Sequence, residues 1–407
     1  MNLVVQKYGG TSVGSIKKIN FIAHNISKLR KQKKSVVVVV SAMAGETDRL
    51  DKITRRIAKI PDEKEYDQVI SSGEKISAGL LSIALIEMNV KAVSLDPSKF
   101  NLLTDDLHSK AQILSVGTKK IKSFLKKGFV VVVPGFQGVN SKGDVTTLGR
   151  GGSDLTAVAL ASALRASHCE LLKDDVDGIY TADPRLYKRA KKINYISYPE
   201  MLEMSSLGSK VLQAKAVEYA NNLQVKLHVK STSKISTRGT WVMDEKTIPL
   251  KEKKIITGIT HDLKQSKITV SGIEDVPGVA SKIFKPIGSA GIVVDMIVQN
   301  ISTNKKTDLT FTIPKDDLNK TVKILKLNMA KINYKKIIQN KDIALVSIVG
   351  AGMKTHTGIA TRMFDSLSKS KINISMISTS EIKISCVIEQ AKCKKAIQSL
   401  HKEFKLG

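Results

Sequence analysis

Two stretches near the C-terminal end of this chain are versions of each other. GVASKIF at Gly278–Phe284 returns as GIATRMF at Gly358–Phe364, and GIVVDMI at Gly291–Ile297 returns as KINISMI at Lys371–Ile377, each displaced by 80 positions without a gap. Across Gly278–Ile297 six of twenty positions are identical, and five others exchange apolar for apolar or basic for basic. Each copy reads as strand, loop ending in Gly, amphipathic helix, strand, strand and helix, with the later strands at Leu309–Ile313 and Ile382–Ile388. A period this long means a duplicated α+β module, not a solenoid of short repeats.

Residues 1–230 follow a different rhythm. Strand-sized β-branched runs at Leu3–Gln6, Val36–Ser41, Val90–Ser94, Phe129–Pro134, Glu170–Lys173 and Val225–Val229 alternate with helical patterns at Ser15–Lys31, Gly73–Met88, Ala111–Lys127, Asp154–Ala166 and Lys210–Asn222. Alternation of this kind, with strands apolar on both faces, predicts an α/β three-layer sandwich around a mostly parallel sheet. Ligands on such sheets sit beyond the carboxyl ends of the strands, so the loops there are where chemistry belongs. The polar stretch STSKISTRGT and the lysines of Lys251–Lys254 mark the end of this part. The expected organisation is a domain over 1–245, a linker over 246–265, and two small domains over 266–335 and 340–407.

Composition narrows the function classes. The apolar runs are far shorter than the roughly 20 residues that span a bilayer, and MNLVVQKYGG lacks the pattern of a secretory signal. Cys169, Cys386 and Cys393 are odd in number and lack metal-ligand spacing, which predicts a reducing, cytoplasmic setting, no disulfide framework and no bound metal. The formal charge of +29, from 66 Lys+Arg against 37 Asp+Glu, is spread along the chain, and only 4% of residues are aromatic. A solvated lysine-rich surface accounts for it better than a nucleic-acid-binding stripe with stacking platforms.

Three loops carry candidate chemistry. KYGGTSVGS at Lys7–Ser15 lies between the first strand and the first helix; its glycines admit close backbone approach, and the helix start offers free N–H groups to an anion. It is neither a Walker nor a dinucleotide fingerprint, and alone it reads equally as a tight connection. TTLGRGGSD at Thr146–Asp154 brings Arg150, suited to fork onto a carboxylate, and Asp154, which otherwise caps its helix. KDDVDGIYTADPR at Lys173–Arg185 supplies Asp174, Asp175, Asp177, Asp183 and Arg185; no downstream Glu completes an EF-hand, which excludes calcium. Two smaller loops, SAMAGETD at Ser41–Asp48 and SSGEKIS at Ser71–Ser77, add Thr47 and Glu74. Glu74 alone reads as an ordinary first-turn acid favoured by the helix dipole.

Together with EMSSLGSKVLQAKAVEYA at Glu203–Ala220, these segments resemble the aspartokinases of the amino-acid kinase family, in the same order and over nearly the whole chain. The C-terminal repeat resembles the paired ferredoxin-like ACT domains of those enzymes. Kinases of the same fold acting on glutamate, acetylglutamate, carbamate or uridylate lack these strings. The resemblance implies ATP as phosphoryl donor with Mg²⁺ carried by the nucleotide, and L-aspartate as acceptor. Lys7, Asp154, Lys210 and Arg150 would be catalytic. Lys7, Tyr8, Gly9, Gly10, Asp174, Asp175, Tyr180, Arg185, Lys210 and Val211 would contact ATP, and Thr47, Glu74, Arg150, Gly151, Gly152 and Ser153 would hold aspartate. The family carries Thr or Ser where Asp174 stands, and SAMGDTTD where this chain has SAMAGETD.

By the same resemblance the ACT pair binds lysine and/or threonine. The first copy would contribute Asp275, Val276, Pro277, Gly278, Val279, Ala280, Ile292, Val293, Val294 and Gln299, facing Asn373 and Ile374 of the second. Homo-oligomers joined through these domains, and a separate regulatory chain from an internal start, are further implications. No nucleic-acid or membrane partner is expected.

Overall fold

Ser35–Val40 reads SVVVVV and has its five valines fully buried, because it lies inside a sheet with layers on both faces. That eight-stranded sheet runs in the order Tyr195–Ser197, Thr240–Met243, Leu227–Ser231, Cys169–Lys173, Leu3–Tyr8, Ser35–Val40, Val130–Pro134, Ala92–Ser94. All neighbours are parallel except Leu227–Ser231 with Thr240–Met243. On one face, helices Ile16–Lys31 and Ser72–Glu87 pack Ile19, Ile22, Ile26, Leu81 and Leu85 against Val4, Tyr8, Val36, Val38, Val40 and Val132. Helix Gly152–Ala163, buried along most of its length, lies against the first two strands. The computed structural model describes residues 3–174, 176–206, 211–234, 237–300, 305–328 and 332–407.

The chain divides into two units, the first formed by Met1–Ile179, Lys192–Ser205 and Lys210–Lys253, the second chiefly by Tyr180–Lys191 and Lys254–Gly407. Within the first, a smaller sheet joins Ile113–Val116, Leu102–Thr104, Gln137–Val139 and Val145–Thr147. The helix expected over Ala111–Lys127 is therefore only Lys119–Lys126, with a strand before it. Gly117 separates the two: a Cβ there would stand 2.1 Å from the Phe100 carbonyl oxygen, so the chain passes too close to Phe100 for any other residue.

Among the described residues, the second unit holds two four-stranded antiparallel sheets, each with two helices longer than one turn, as the duplication predicts. Helices Val279–Ser289 and Ile359–Lys369 stand 80 residues apart, and each is preceded by a left-handed glycine, Gly278 at φ 89° and Gly358 at φ 79°. The expected boundaries need correction. Gly258–Asp262, inside the supposed linker 246–265, is an edge strand paired antiparallel with Ile343–Val349 of the second module. Lys336–Asn340, beyond the expected end at 335, pairs with Gln265–Glu274 of the first. The second module thus takes one strand from before the first module begins.

Tyr180–Lys191 also belongs to this unit. Ala182 lies in the second module's core, the Thr181 carbonyl accepts from Ile259 N–H at 2.7 Å, and Thr181 Oγ1 is 2.9 Å from His401 Nε2.

Candidate active site

The glycine-rich loops of the first unit meet beyond the carboxyl ends of its central strands. Backbone bonds join them: Ser41 N–H donates to the Tyr8 carbonyl at 3.1 Å, Ala44 N–H to Gly10 at 3.1 Å, and Gly135 N–H to Val40 at 2.9 Å. Two glycines let this happen. A Cβ on Gly10 would stand 2.7 Å from the Ala42 carbonyl oxygen, and one on Gly73 would stand 2.8 Å from the Ala42 methyl. The first loop and the helix bearing Glu74 therefore both close on Ala42 only because neither has a side chain there. Ser12 Oγ lies 2.8 Å from Thr232 Oγ1, tying the first loop to the strand end at Ser231.

Inside this junction Lys7 Nζ and Asp154 Oδ1 form an ion pair at 2.5 Å, with both residues buried. Burial alone would raise the Asp154 carboxyl, but Lys7 and then Lys173 outweigh it and hold it below its ordinary value. Asp154 stands in the first turn of its helix, where the dipole also favours a negative charge. Asp154 fixes the position of the Lys7 ammonium, a donor that can face an incoming anion.

Glu74 is the second distinctive group. It is 3% exposed; its Oε1 accepts from Ala42 N–H at 3.0 Å, while Oε2 has no hydrogen-bond partner. Burial raises its carboxyl to about 7, against the opposing pull of the Ala42 amide, its own amide and Lys7. A buried carboxylate oxygen without a donor is costly, and an ammonium group would supply one.

Of the other expected site residues, Gly152 and Ser153 are buried in the same helix start, Gly151 precedes it in the left-handed conformation, Arg150 is exposed beside it, and Thr47 is half-buried in helix Glu46–Ile57. Gly9 N–H is spent on the Leu172 carbonyl at 3.4 Å. Tyr8 differs from expectation: its ring lies in the core and its hydroxyl donates to Gln6 Oε1 at 3.2 Å, so only its backbone faces the loop. Asp174, the departure from the family pattern, accepts from Lys18 Nζ at 2.5 Å, and the same ammonium donates to the Thr11 carbonyl at 2.9 Å. Val211 is half-buried; Asp175 and Lys210 lie outside the described residues. Tyr180 and Arg185 belong to the second unit, where Arg185 grips Asp183 through Nε at 3.0 Å and Nη2 at 2.7 Å.

Sequence reasoning missed Asp67. Fully buried, it accepts from Thr147 N–H at 2.9 Å, Thr147 Oγ1 at 2.6 Å, Ser109 N–H at 2.9 Å and Ser109 Oγ at 3.2 Å, with His108 Nδ1 at 3.0 Å. It clamps the strand that opens the TTLGRGGSD loop. Its partners are remote in sequence and form no local pattern.

In the second unit a cavity of about 400 Å³ is lined by Asp275–Ala280 and Gln299, seven of the ten effector residues expected in the first module. Ile292 is instead core, and Val293 is exposed. A second cavity of about 500 Å³ occupies the equivalent place 80 residues on, lined by Gly358–Ala360 and Thr379 together with Met353, Lys354, His356, Ser380, Glu381 and Ile384. Neither Asn373 nor Ile374 lines it. The offset that carries Gly278 to Gly358 and Gln299 to Thr379 was a legible signal for this second cavity.

Comparison with known proteins agrees with this architecture. The profile of the amino acid kinase family matches residues 2–231, and that of an ACT domain matches residues 268–328 and 346–404. An aspartate kinase of Stutzerimonas stutzeri is 46% identical over 406 residues, covering 100% of this chain and 98% of that protein. The crystal structure of E. coli aspartokinase III in complex with aspartate and ADP superposes with a TM-score of 0.75 at 25% identity, covering 99% of this chain and 100% of that one. The same enzyme in complex with lysine and aspartate gives a TM-score of 0.78, also at 25% identity, with the same coverage. The chain belongs to the amino acid kinase family, with ACT domains following the kinase fold. Within that family it is one of the aspartate kinases.

Proposed function

We propose that this chain transfers the γ-phosphoryl group of ATP to the side-chain carboxylate of L-aspartate, giving 4-phospho-L-aspartate and ADP. The reaction is the first step of the route to lysine and diaminopimelate, threonine and methionine, in the cytoplasm. The observation that carries this reading is the pairing, in one junction of glycine-rich loops, of a buried Lys7–Asp154 ion pair with a Glu74 oxygen that lacks a partner.

Aspartate arrives ionised at neutral pH, so the reaction needs no general base. The difficulty is charge: one anion must approach another in line. Lys7, held by Asp154, lies against the transferring phosphoryl group, and the family resemblance would give Lys210 the part of a second cation. Mg²⁺ carried by the nucleotide would neutralise part of its phosphate charge. Glu74 receives the α-ammonium of aspartate. Arg150, exposed at the edge of the junction, forks onto the α-carboxylate, with Ser153, Gly151, Gly152 and Thr47 around the substrate. By the family resemblance Asp174 and Val211 would border the nucleotide. The E. coli relative crystallised with aspartate and ADP supports these ligands.

We further propose regulation by lysine and/or threonine at the first module's cavity, supported by the lysine complex of the same relative, and self-association through the ACT pair. An assay of ADP release in hydroxylamine, which traps an acyl phosphate as hydroxamate, tests the reaction. Aspartate-dependent hydroxamate is expected, reduced by orders of magnitude in Lys7→Ala with the fold intact. Hydroxamate formed from glutamate and not from aspartate sinks the assignment.

A further inference from the structure

Away from the loop junction, a row of polar and aromatic side chains crosses four neighbouring strands. Gln6, Glu170, His228 and Trp241 are successive register partners, so they lie side by side on one face of the large sheet. His168, one residue before the strand that carries Glu170, joins them. His168 Nε2 is 3.6 Å from Glu170 Oε1, and His228 Nδ1 is 3.9 Å from the same oxygen. These three atoms all lie within 4.8 Å of one another. The separations are too long for hydrogen bonds. They are close to the spacing of about 3.3 Å that neighbouring ligand atoms take around a tetrahedral ion with bonds near 2.0 Å.

The remaining polar atoms are already occupied in the manner of an outer shell. His228 Nε2 is 2.7 Å from the Arg238 carbonyl, which can only accept, so Nε2 carries the proton and Nδ1 turns a lone pair toward Glu170. His168 Nδ1 is 2.9 Å from Ser167 Oγ, and Glu170 Oε2 accepts from Gln6 Nε2 at 2.7 Å. Trp241 stacks on the His228 ring at 3.9 Å and 11°, which fixes its plane. Ligating histidines and carboxylates are characteristically held this way through their far atoms. Lys230 Nζ, 3.6 Å from Glu170 Oε1, is the competing cation among the described residues.

We propose that His168 Nε2, Glu170 Oε1 and His228 Nδ1 form a site for one divalent transition-metal ion of the zinc class. Water supplies the fourth ligand. Two imidazoles and one carboxylate suit zinc or cobalt and not the all-oxygen preference of magnesium, so this ion is separate from the one carried by the nucleotide. It joins the strands Cys169–Lys173 and Leu227–Ser231 across the sheet and displaces the Lys230 ammonium from their shared oxygen. Sequence spacing concealed the set because His228 lies on a different strand from His168 and Glu170.

The test is titration of the full chain, freed of metal by a chelator, with Co²⁺ and then Zn²⁺. About one equivalent of Co²⁺ should produce the visible absorption of a four-coordinate centre, and Zn²⁺ should abolish it. His168→Asn and His228→Gln should each lower Zn²⁺ affinity more than about a hundredfold, since even outer-shell losses cost 10- to 100-fold. Gln6→Ala should cost about tenfold, and Lys230→Met should raise affinity. Circular dichroism of His168→Asn, whose residue sits at a strand entry, checks that lost binding is not lost folding. No Co²⁺ absorption, or a Zn²⁺ affinity unchanged in folded His168→Asn, overturns the site and leaves a hydrogen-bonded polar row.

Discussion

Burial makes the ionised form of Glu74 costly. Its folded-state carboxyl is raised from 4.5 to about 7 by burial, so the folded chain holds this proton more tightly than the unfolded chain. Its ionisation therefore costs stability, beginning as pH rises past 4.5 and complete above about 7, with a penalty on the order of a few kcal/mol. Glu74→Gln removes the penalty. The variant should resist urea better than the parent at pH 8 and equally at pH 4, while its KM for aspartate rises and its KM for ATP stays put. Equal stability at both pH values would refute the strain. In the parent, aspartate affinity should weaken as pH falls through about 7, because the protonated acid no longer attracts an ammonium. A pair at the same scale concerns Asp174. Its charge is already met by Lys18, so Asp174→Thr should change the ATP KM little, within about twofold, while Lys18→Ala exposes an unbalanced carboxylate beside the nucleotide and raises it. The double variant should return toward the parent value; additive effects would show that the two side chains act separately.

At the scale of elements, Asp67 shows how a substrate loop is held by something outside it. Its five contacts fasten helix Glu63–Ile70 to Ser109 and to the strand Val145–Thr147. Asp67→Ala leaves the buried Thr147 N–H and the part-buried Ser109 N–H without their acceptor, the buried one at about 1–3 kcal/mol. Chemical unfolding should register a loss on the order of 2–5 kcal/mol, and the aspartate KM should rise as the loop loosens. Loss of stability with unchanged KM would confine Asp67 to the fold. What was legible in the sequence follows the same division. A long periodic helix such as Ile16–Lys31 announces itself by its period, and an unbroken valine run such as Ser35–Val40 by its composition. Three-residue strands such as Leu102–Thr104 and Gln137–Val139 hold too few residues to show a period, and the strand at Ile113–Val116 was absorbed into a helical pattern. The loops bearing Lys7 and Asp154 were legible from their glycines. The Tyr8 ring turned inward because strand parity aligns it with Val4 and Gln6, and the boundary errors arose because edge strands exchange order between the two modules.

At the scale of the whole chain, duplication has supplied two cavities of the same design and made them chemically unequal. The first carries Asp275 at its rim; the second carries Glu381, whose carboxylate is already paired with Lys354 at 2.9 Å. An amino acid needs an acceptor for its ammonium, and the first cavity offers a carboxylate free of that lysine partnership, so the first cavity should dominate the response. Initial rates measured with millimolar lysine, threonine and both together should fall with at least one of them. Asp275→Ala should then raise the half-inhibitory concentration about tenfold or more while leaving the uninhibited rate intact, within the coupling energies of 1–3 kcal/mol usual for such linkage. Glu381→Ala should shift it less. Rates indifferent to both amino acids, alone and combined, would reduce the repeat to an assembly module. The reverse ranking of the two variants would move the principal effector site to the second cavity.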